Sequence, residues 1–244
     1  MNRAILSVAL WISANLTARA QFSLLEVRHV TDAGPAFGLA VAGTHLYVAA
    51  GTNGLCAYDI SNPANPIQIG RSFDGGSAWR VAVAGNFAYL ANKSDGLRIY
   101  DVSNPTNLFS VGHVIDGGLA LGIAVDANNA YLANHTDGLR IYDISTPSNP
   151  ISVGHAFTNV LAMSAAFGVA VSNNRTFVAN AGDGLRIYDV SDKTNPTDLG
   201  HSSTNYGSSA LDVALSGNYT YEANFADGLR VFDVSNPTFP TNVN

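Results

Sequence analysis

The chain is short of almost everything that would announce a chemistry. It has one cysteine, Cys56, in 244 residues, so it cannot close an internal disulfide. Packing has to hold the fold, and a chain of this length suffices for a sizeable core. Charged residues make up only 12%, with 12 Lys+Arg against 18 Asp+Glu. Neutralising phosphates needs a basic cluster, none exists, and no nucleic-acid partner is expected. Beyond residue 20 no stretch is apolar for the ~20 residues that a membrane-spanning helix requires. There is no Gly-x-Ser-x-Gly elbow, no phosphate-cradling loop and no zinc signature. No catalytic residue, metal or cofactor is therefore expected. No segment shows a helical period, while Asn, Ser, Thr and Gly abound, which suits turn-rich β structure.

The first twenty residues are a separate object. Arg3 supplies a positive start, residues 4–12 form a short apolar run, and Ala18-Arg19-Ala20 places small residues where a signal peptidase reads them. Residues 1–20 are expected to be a signal peptide cleaved before Gln21. No lipid-attachment cysteine follows, so no membrane insertion is expected after cleavage. Loss of Arg3 and Arg19 takes the net charge from −6 to −8.

What the chain does have is a repeat. Asp-Gly-Leu-Arg-Ile-Tyr-Asp stands unchanged at residues 95–101, 137–143 and 183–189. It recurs as Asp-Gly-Leu-Arg-Val-Phe-Asp at 227–233 and, degenerate, as Asn-Gly-Leu-Cys-Ala-Tyr-Asp at 53–59. Its glycines, at 54, 96, 138, 184 and 228, are 42, 42, 46 and 44 residues apart. A period of this length marks a modular array. In one unit, residues 80–84 and 87–91 alternate as two strands across Gly85-Asn86. Asp95-Gly96 makes a hairpin into a third strand at 97–101, Ser103-Asn104-Pro105 makes a loop, and residues 108–114 form a fourth strand.

Four antiparallel strands repeated radially make a blade, so residues 21–244 read as an all-β β-propeller of five four-stranded antiparallel blades. A parallel β-helix would have shorter coils and few hairpins. The small middle residues of the first strands, Ala40, Ala82, Ala124, Ala170 and Ala214, fit a crowded axis. After Pro237 little chain remains, whereas residues 24–31 followed by Asp32-Ala33-Gly34 match the fourth strand and link of other units. The N-terminal strand is thus expected to complete the last blade and close a monomeric ring, which would remove exposed edges. A fragment of a larger protein, or chains that pair into a larger ring, are the alternatives.

The units Gly168-Val-Ala-Val-Ser172, Ser145-Thr-Pro-Ser-Asn-Pro-Ile-Ser-Val-Gly154 and Asp183-Gly-Leu-Arg-Ile-Tyr-Asp-Val-Ser191 resemble LVIVD repeats. The resemblance covers residues 22–243 and departs from the pattern in the first unit at Asn53, Cys56 and Ala57. It implies a propeller on a surface or secreted protein of bacteria or archaea. It transfers no catalytic residue.

The repeated polar residues are expected to be structural. Asp95, Asp137, Asp183 and Asp227 supply Asp-Gly turns. Asp59, Asp101, Asp143, Asp189 and Asp233 accept backbone N–H bonds in Asx turns. Arg98, Arg140, Arg186 and Arg230 lie along the blade and pair with nearby carboxylates. His29, His113, His155 and His201, with Arg71 in the remaining unit, form a polar outer rim. Cys56 is drift in a degenerate copy, and the four Asn-x-Thr/Ser sequons of the repeats, at Asn92, Asn134, Asn174 and Asn218, are chance in an Asn/Thr-rich repeat.

Function is sought where copies differ, on the face bearing the second-to-third-strand hairpins and the interblade links. Asp74, Trp79, Lys93, His135, Met163, Tyr206 and Phe225 are the unlike residues there. Trp79 and Tyr206 have the chemistry to stack on a sugar or anchor a partner. Arg80 and Asp212 stand where Gly38, Gly122 and Gly168 stand in other units, beside the central channel. Trp79, Arg80, Asp212, Tyr206 and Asp74 are therefore the candidate ligand-binding residues. The expected function is a non-catalytic interaction module, secreted, periplasmic or on the cell surface, that binds an extracellular protein or a glycan. The alternatives are a carbohydrate-active enzyme using Arg80, Asp212 or Asp74, and a structural piece of a larger surface protein. Expression in a secreting host should yield a chain beginning at Gln21. Intact mass and N-terminal sequencing check this, and a retained Met1 would refute it.

Overall fold

A computed structural model describes residues 5–8, 22–25, 28–31, 34–73, 75–157, 164–202 and 209–243. Each repeat folds into one four-stranded antiparallel sheet with its strands in chain order. Blade 1 consists of Gly38–Ala42, His45–Ala49, Leu55–Asp59 and Ile67–Ser72. Blades 2, 3 and 4 begin at Arg80–Ala84, Gly122–Asp126 and Gly168–Ser172, and end at Phe109–Val114, Ile151–Ala156 and Thr197–Ser202. Blade 5 begins at Asp212–Ser216 and ends at Thr241–Asn242.

The small middle residues of the first strands have a definite job. Ala40 lies opposite Tyr47, Ala82 opposite Tyr89, Ala124 opposite Tyr131, Ala170 opposite Phe177 and Ala214 opposite Tyr221. A methyl beside each ring lets the sheet face fill without overpacking. The crowding predicted for the axis falls two residues earlier. A Cβ added at Gly38 would lie 2.8 Å from the Arg80 Cα, and one at Gly168 would lie 2.7 Å from the Asp212 Cα.

Blades pack face to face. Tyr47, Ala49, Leu55 and Ala57 of blade 1 bury against Val81, Ala88, Leu90 and Tyr100 of blade 2. Equivalent clusters fill the next three interfaces. Near the rim, a Cβ at Gly112 would sit 2.0 Å from the Pro147 carbonyl oxygen of the next blade. A fourth-strand side chain at that point would wedge the blades apart. The Arg80 guanidinium of blade 2 meets the Asp212 carboxylate of blade 5 at 3.1 Å. Blades joined in single file reach that contact only by curving around one axis.

The N-terminal strand does not take the predicted place. The fourth strand of blade 5 is the chain's own Thr241–Asn242, while Phe22–Leu25 pairs with Ile5–Val8. The reason lies in spacing. Asp233 faces Thr241 as Asp59 faces Ile67, Asp101 faces Phe109, Asp143 faces Ile151 and Asp189 faces Thr197. The short local loop closes at less entropic cost than a return from the far end of the chain. Residues 26 and 27 of the expected strand lie outside the described residues. Val30 packs against Val48, Ala50, Cys56 and Tyr58 of blade 1.

Nor, among the described residues, do blades 5 and 1 bury their facing sides against each other. Leu39 and Val41 on blade 1 are 63% and 64% exposed, and Tyr219 and Tyr221 on blade 5 are 43% and 38% exposed. The matching Val81 and Tyr131 are 7% and 0% exposed. The exposed residues there are Leu39 and Val41 on the inner strand of blade 1 and Tyr219, Tyr221 and Leu229 on blade 5, whereas Val48, Cys56 and Tyr58 on the same side of blade 1 are buried.

Among the buried polar residues, one carboxylate stands inside the apolar packing of the second strands. Glu222 occupies the place held by Val48, Leu90, Leu132 and Val178, is 0% exposed, and has no hydrogen-bond partner for either carboxylate oxygen. Burial pushes its carboxyl up to about 7, against the opposing pull of Arg230 across the strand pair. A raised carboxyl favours the fold fully below its ordinary value near 4.5, and that advantage is lost as pH rises through 7. Relative to the parent, Glu222→Gln should gain on the order of 3 kcal/mol at pH 8 and little at pH 4. Urea unfolding at the two pH values measures the difference; an equal effect at both would refute it.

Candidate functional site

The repeated polar residues lock turns. In blade 2, Asn92 donates to Asp95 at 2.8 Å, and Arg98 donates to both Asp95 oxygens, the longer contact being 3.3 Å. His113 Nε2 lies 2.7 Å from the Asp95 carbonyl oxygen. Blade 3 repeats the set with Asn134, Arg140 and His155 around Asp137. Burial raises the carboxyl pKa of both aspartates, but the arginine, asparagine and histidine contacts outweigh it and hold them below the usual range. The fourth-strand histidines therefore do more than the predicted polar rim: they brace these hairpins. Blade 1 reaches the same end by exchange. Cys56 replaces the arginine, and Arg71 on the fourth strand donates to the Asn53 carbonyl and side-chain oxygens at 3.1 and 2.8 Å.

The second aspartate set behaves as predicted. Asp59, Asp101, Asp143, Asp189 and Asp233 each accept the N–H of the serine two residues on, at 2.7–2.9 Å. Those serine bonds hold all five carboxyls below the usual range. Asp116, in the link after blade 2, accepts from Tyr142 and, at 2.9 Å, from Asn134. Asp74 stands at the corresponding place in the previous link and lies, with Met163 and Tyr206, outside the described residues.

The hairpins and links do share one face. Single bridges join Gly51 to Ala78, Lys93 to Ala120, His135 to Ala166 and Ala181 to Ala210, each tying a hairpin tip to the link of the next blade. Every tip is left-handed: Gly51 at φ 58°, Lys93 at 50°, His135 at 53°, Ala181 at 45° and Phe225 at 27°. The five copies carry five different residues at this tip.

On this face the structure gathers Trp79, Lys93, Arg80 and Asp212. Phe37, which the sequence reading passed over, stacks on Trp79 with ring centroids 4.2 Å apart and 20° between planes. The Lys93 ammonium lies over the Trp79 ring at 4.0 Å. Two groups that close cannot share one ring face, so the indole is sandwiched. Stacking a sugar on Trp79 would first displace one of them. Arg80 donates to the Phe37 carbonyl at 2.5 Å and to Asp212. His135 and Phe167 meet edge-on at 5.5 Å one blade further round. Phe225 is exposed on the last blade. Phe37 and Phe167 had a signal: both fill the column directly before a first strand, where Trp79, Leu121 and Leu211 also stand. Among the described residues no group of three or more His, Cys, Asp or Glu is gathered as a metal site would require.

Comparison with known proteins fits this geometry. Consecutive matches to the LVIVD repeat cover residues 33–73, 75–116, 117–158, 165–204 and 207–244. The chain belongs to the LVIVD-repeat family. No curated protein matches it by sequence. Its fold is similar to that of the computationally designed Ika8 protein, at 12% identity and TM-score 0.65, over 86% of this chain and 60% of that one. Sqt1 of Saccharomyces cerevisiae is similar at 11% identity and TM-score 0.66, over 86% and 62%. A chain of a nidogen/laminin complex is similar at 13% identity and TM-score 0.64, over 100% and 92%. These likenesses establish the fold as a β-propeller type. The LVIVD chain spans less than two thirds of Ika8 and of Sqt1.

Two arginines of this LVIVD chain separate structure from surface. Arg186 has a 7% exposed side chain held by Asp183 and Asp198, whereas Arg80 and Asp212 are 32% and 49% exposed. Arg186→Ala should lower stability by about 3 kcal/mol, because it strands buried carboxylate. Arg80→Ala should cost less than about 1 kcal/mol, because solvent screens the pair. Chemical denaturation of both variants checks the order, and a costlier Arg80→Ala would reverse the assignment.

Proposed function

We propose that this LVIVD-repeat chain is an exported, non-catalytic interaction module that binds a protein, or a glycan, on its hairpin-and-link face. The carrying observation is the Phe37–Trp79–Lys93 sandwich beside the Arg80–Asp212 pair. Partly exposed tryptophan and arginine are the side chains that dominate recognition when a partner desolvates them. The sandwich fixes the indole before a partner arrives, so little side-chain entropy is lost on binding. With Arg80 paired to Asp212, Lys93 puts positive charge on this face of an otherwise acidic chain, which favours a partner carrying carboxylates. A protein fits better than a glycan because both faces of Trp79 are already covered.

The test is a binding screen of secreted proteins and glycans against the parent, a Trp79→Ala variant and an Arg80→Ala/Asp212→Ala double variant. Each change should weaken any ligand found by about tenfold or more, with melting lowered modestly by Trp79→Ala, which removes the ring stack, and little by the double variant. A ligand that binds both variants as tightly as the parent would place the site elsewhere.

A further inference from the structure

The ends of the blades opposite the hairpin-and-link face carry the turns between first and second strands. There, between blades 4 and 5, lies a cleft of about 340 Å³ with its mouth included. Ser172, Arg175 and Phe177 line its blade 4 wall, and Leu215, Asn218 and Val234 its blade 5 wall. The sequence explains why the cleft is there. Phe177 stands in the column held by Tyr47, Tyr89 and Tyr131. The Tyr47 hydroxyl donates to the Val102 carbonyl of the next blade at 3.5 Å. Val234 is the counterpart of Val102, and Phe177 has no hydroxyl to send to it. The residue that opens the second strand changes as well. Phe87 joins the packed cluster between blades 2 and 3 from that place, whereas blade 4 has Arg175.

We propose that this cleft binds a small organic acid, with the carboxylate on Arg175 and the apolar body against Phe177 and Leu215. Arg175 is partly exposed and makes no hydrogen bond or ion pair with a described residue. Asp189 lies opposite it across the strand pair, but that carboxylate accepts the Ser191 N–H at 2.7 Å. Lys193 adds a second cation beside the same turn, donating to Asn174 at 3.2 Å. A guanidinium with its donors free holds a carboxylate through two parallel N–H bonds. Phe177, only 4% exposed, and Leu215 belong to the packed cluster between the blades and give the cleft an apolar side. Opposite Leu215, Thr220 is 0% exposed and its hydroxyl has no partner. An inorganic anion would use Arg175 and gain nothing from the apolar side. Ligand clefts span roughly 300–1,000 Å³, so this one suits a compact acid. It lies at the other end of the blades from Trp79, separate from the partner-binding face.

Benzoate, acetate and inorganic phosphate are the probes, titrated into the whole chain and followed through the backbone amide NMR shifts of residues 172–177 and 215–218. Benzoate should bind saturably. Acetate and phosphate should bind about tenfold more weakly or worse, because neither covers Phe177 and Leu215. Arg175→Gln removes the charge from a partly exposed side chain and should weaken benzoate about tenfold or more, with the fold intact. Phe177→Tyr restores the ring and hydroxyl that other blades carry. It should melt no lower than the parent and weaken benzoate about tenfold or more, because the hydroxyl fills the cleft. No saturable shift with benzoate, phosphate bound as tightly as benzoate, or unchanged benzoate affinity in either variant would each overturn the proposal.

Discussion

The interface between blades is the constraint on which the rest of this molecule depends. A single four-stranded sheet of these sequences is apolar on both sides and has no stability of its own in water. Leu97, Leu139 and Leu185 are fully buried only because a neighbouring blade covers them. Burying each such side chain contributes about 1.5–3 kcal/mol, and each interface buries several. The alternation of Ala40 with Tyr47, or Ala124 with Tyr131, is a rule for how one sheet meets the next. It says little about the strand in which each residue sits.

The polar repeats serve that packing from outside it. The hairpin lock of Asp137, Asn134, Arg140 and His155 fixes the turn between second and third strands, and the Asp143–Ser145 turn fixes the exit of the third. Once both ends of the strand pair are set, the apolar sides align with the next blade without adjustment. Blade 1 shows that the lock can be built in more than one way, since Arg71 reaches Asn53 from the fourth strand when Cys56 has displaced the arginine. Glu222 is the opposite case: a carboxyl inside the packing, which nothing outside it can solvate.

Much of this was legible in the sequence, for identifiable reasons. A 42-residue period and Asp-Gly turns specify blades because turn geometry is local and strand alternation is periodic. The Arg80–Asp212 contact was foreshadowed by two charged residues in a glycine column. Other features were not readable. The place of the N-terminal strand depended on competition with Thr241–Asn242 for one edge, and both segments fit by pattern. Phe37 escaped notice because its partner Trp79 is 42 residues away, and stacking across a blade interface leaves no mark in either local segment. Whether five blades meet end to end depends on the wedge angle of each interface, which small differences in side-chain volume set collectively.

The left-handed hairpin tips carry a consequence for how such a chain can change. A left-handed backbone costs about 1 kcal/mol for any residue with a Cβ and almost nothing for glycine. Blade 1 has Gly51 there, while Lys93, His135, Ala181 and Phe225 keep side chains in spite of that cost. The lock beneath each tip, and not the tip residue, holds the turn. Side-chain identity at the partly exposed Lys93 and His135 and the exposed Phe225 is therefore only loosely tied to folding, in the way that letters on a keyboard are loosely tied to its frame. Gly51 and Ala181 are buried, and a Cβ at Gly51 would lie 2.8 Å from the Phe37 ring, so the surface can be rewritten at three tips and is held at two.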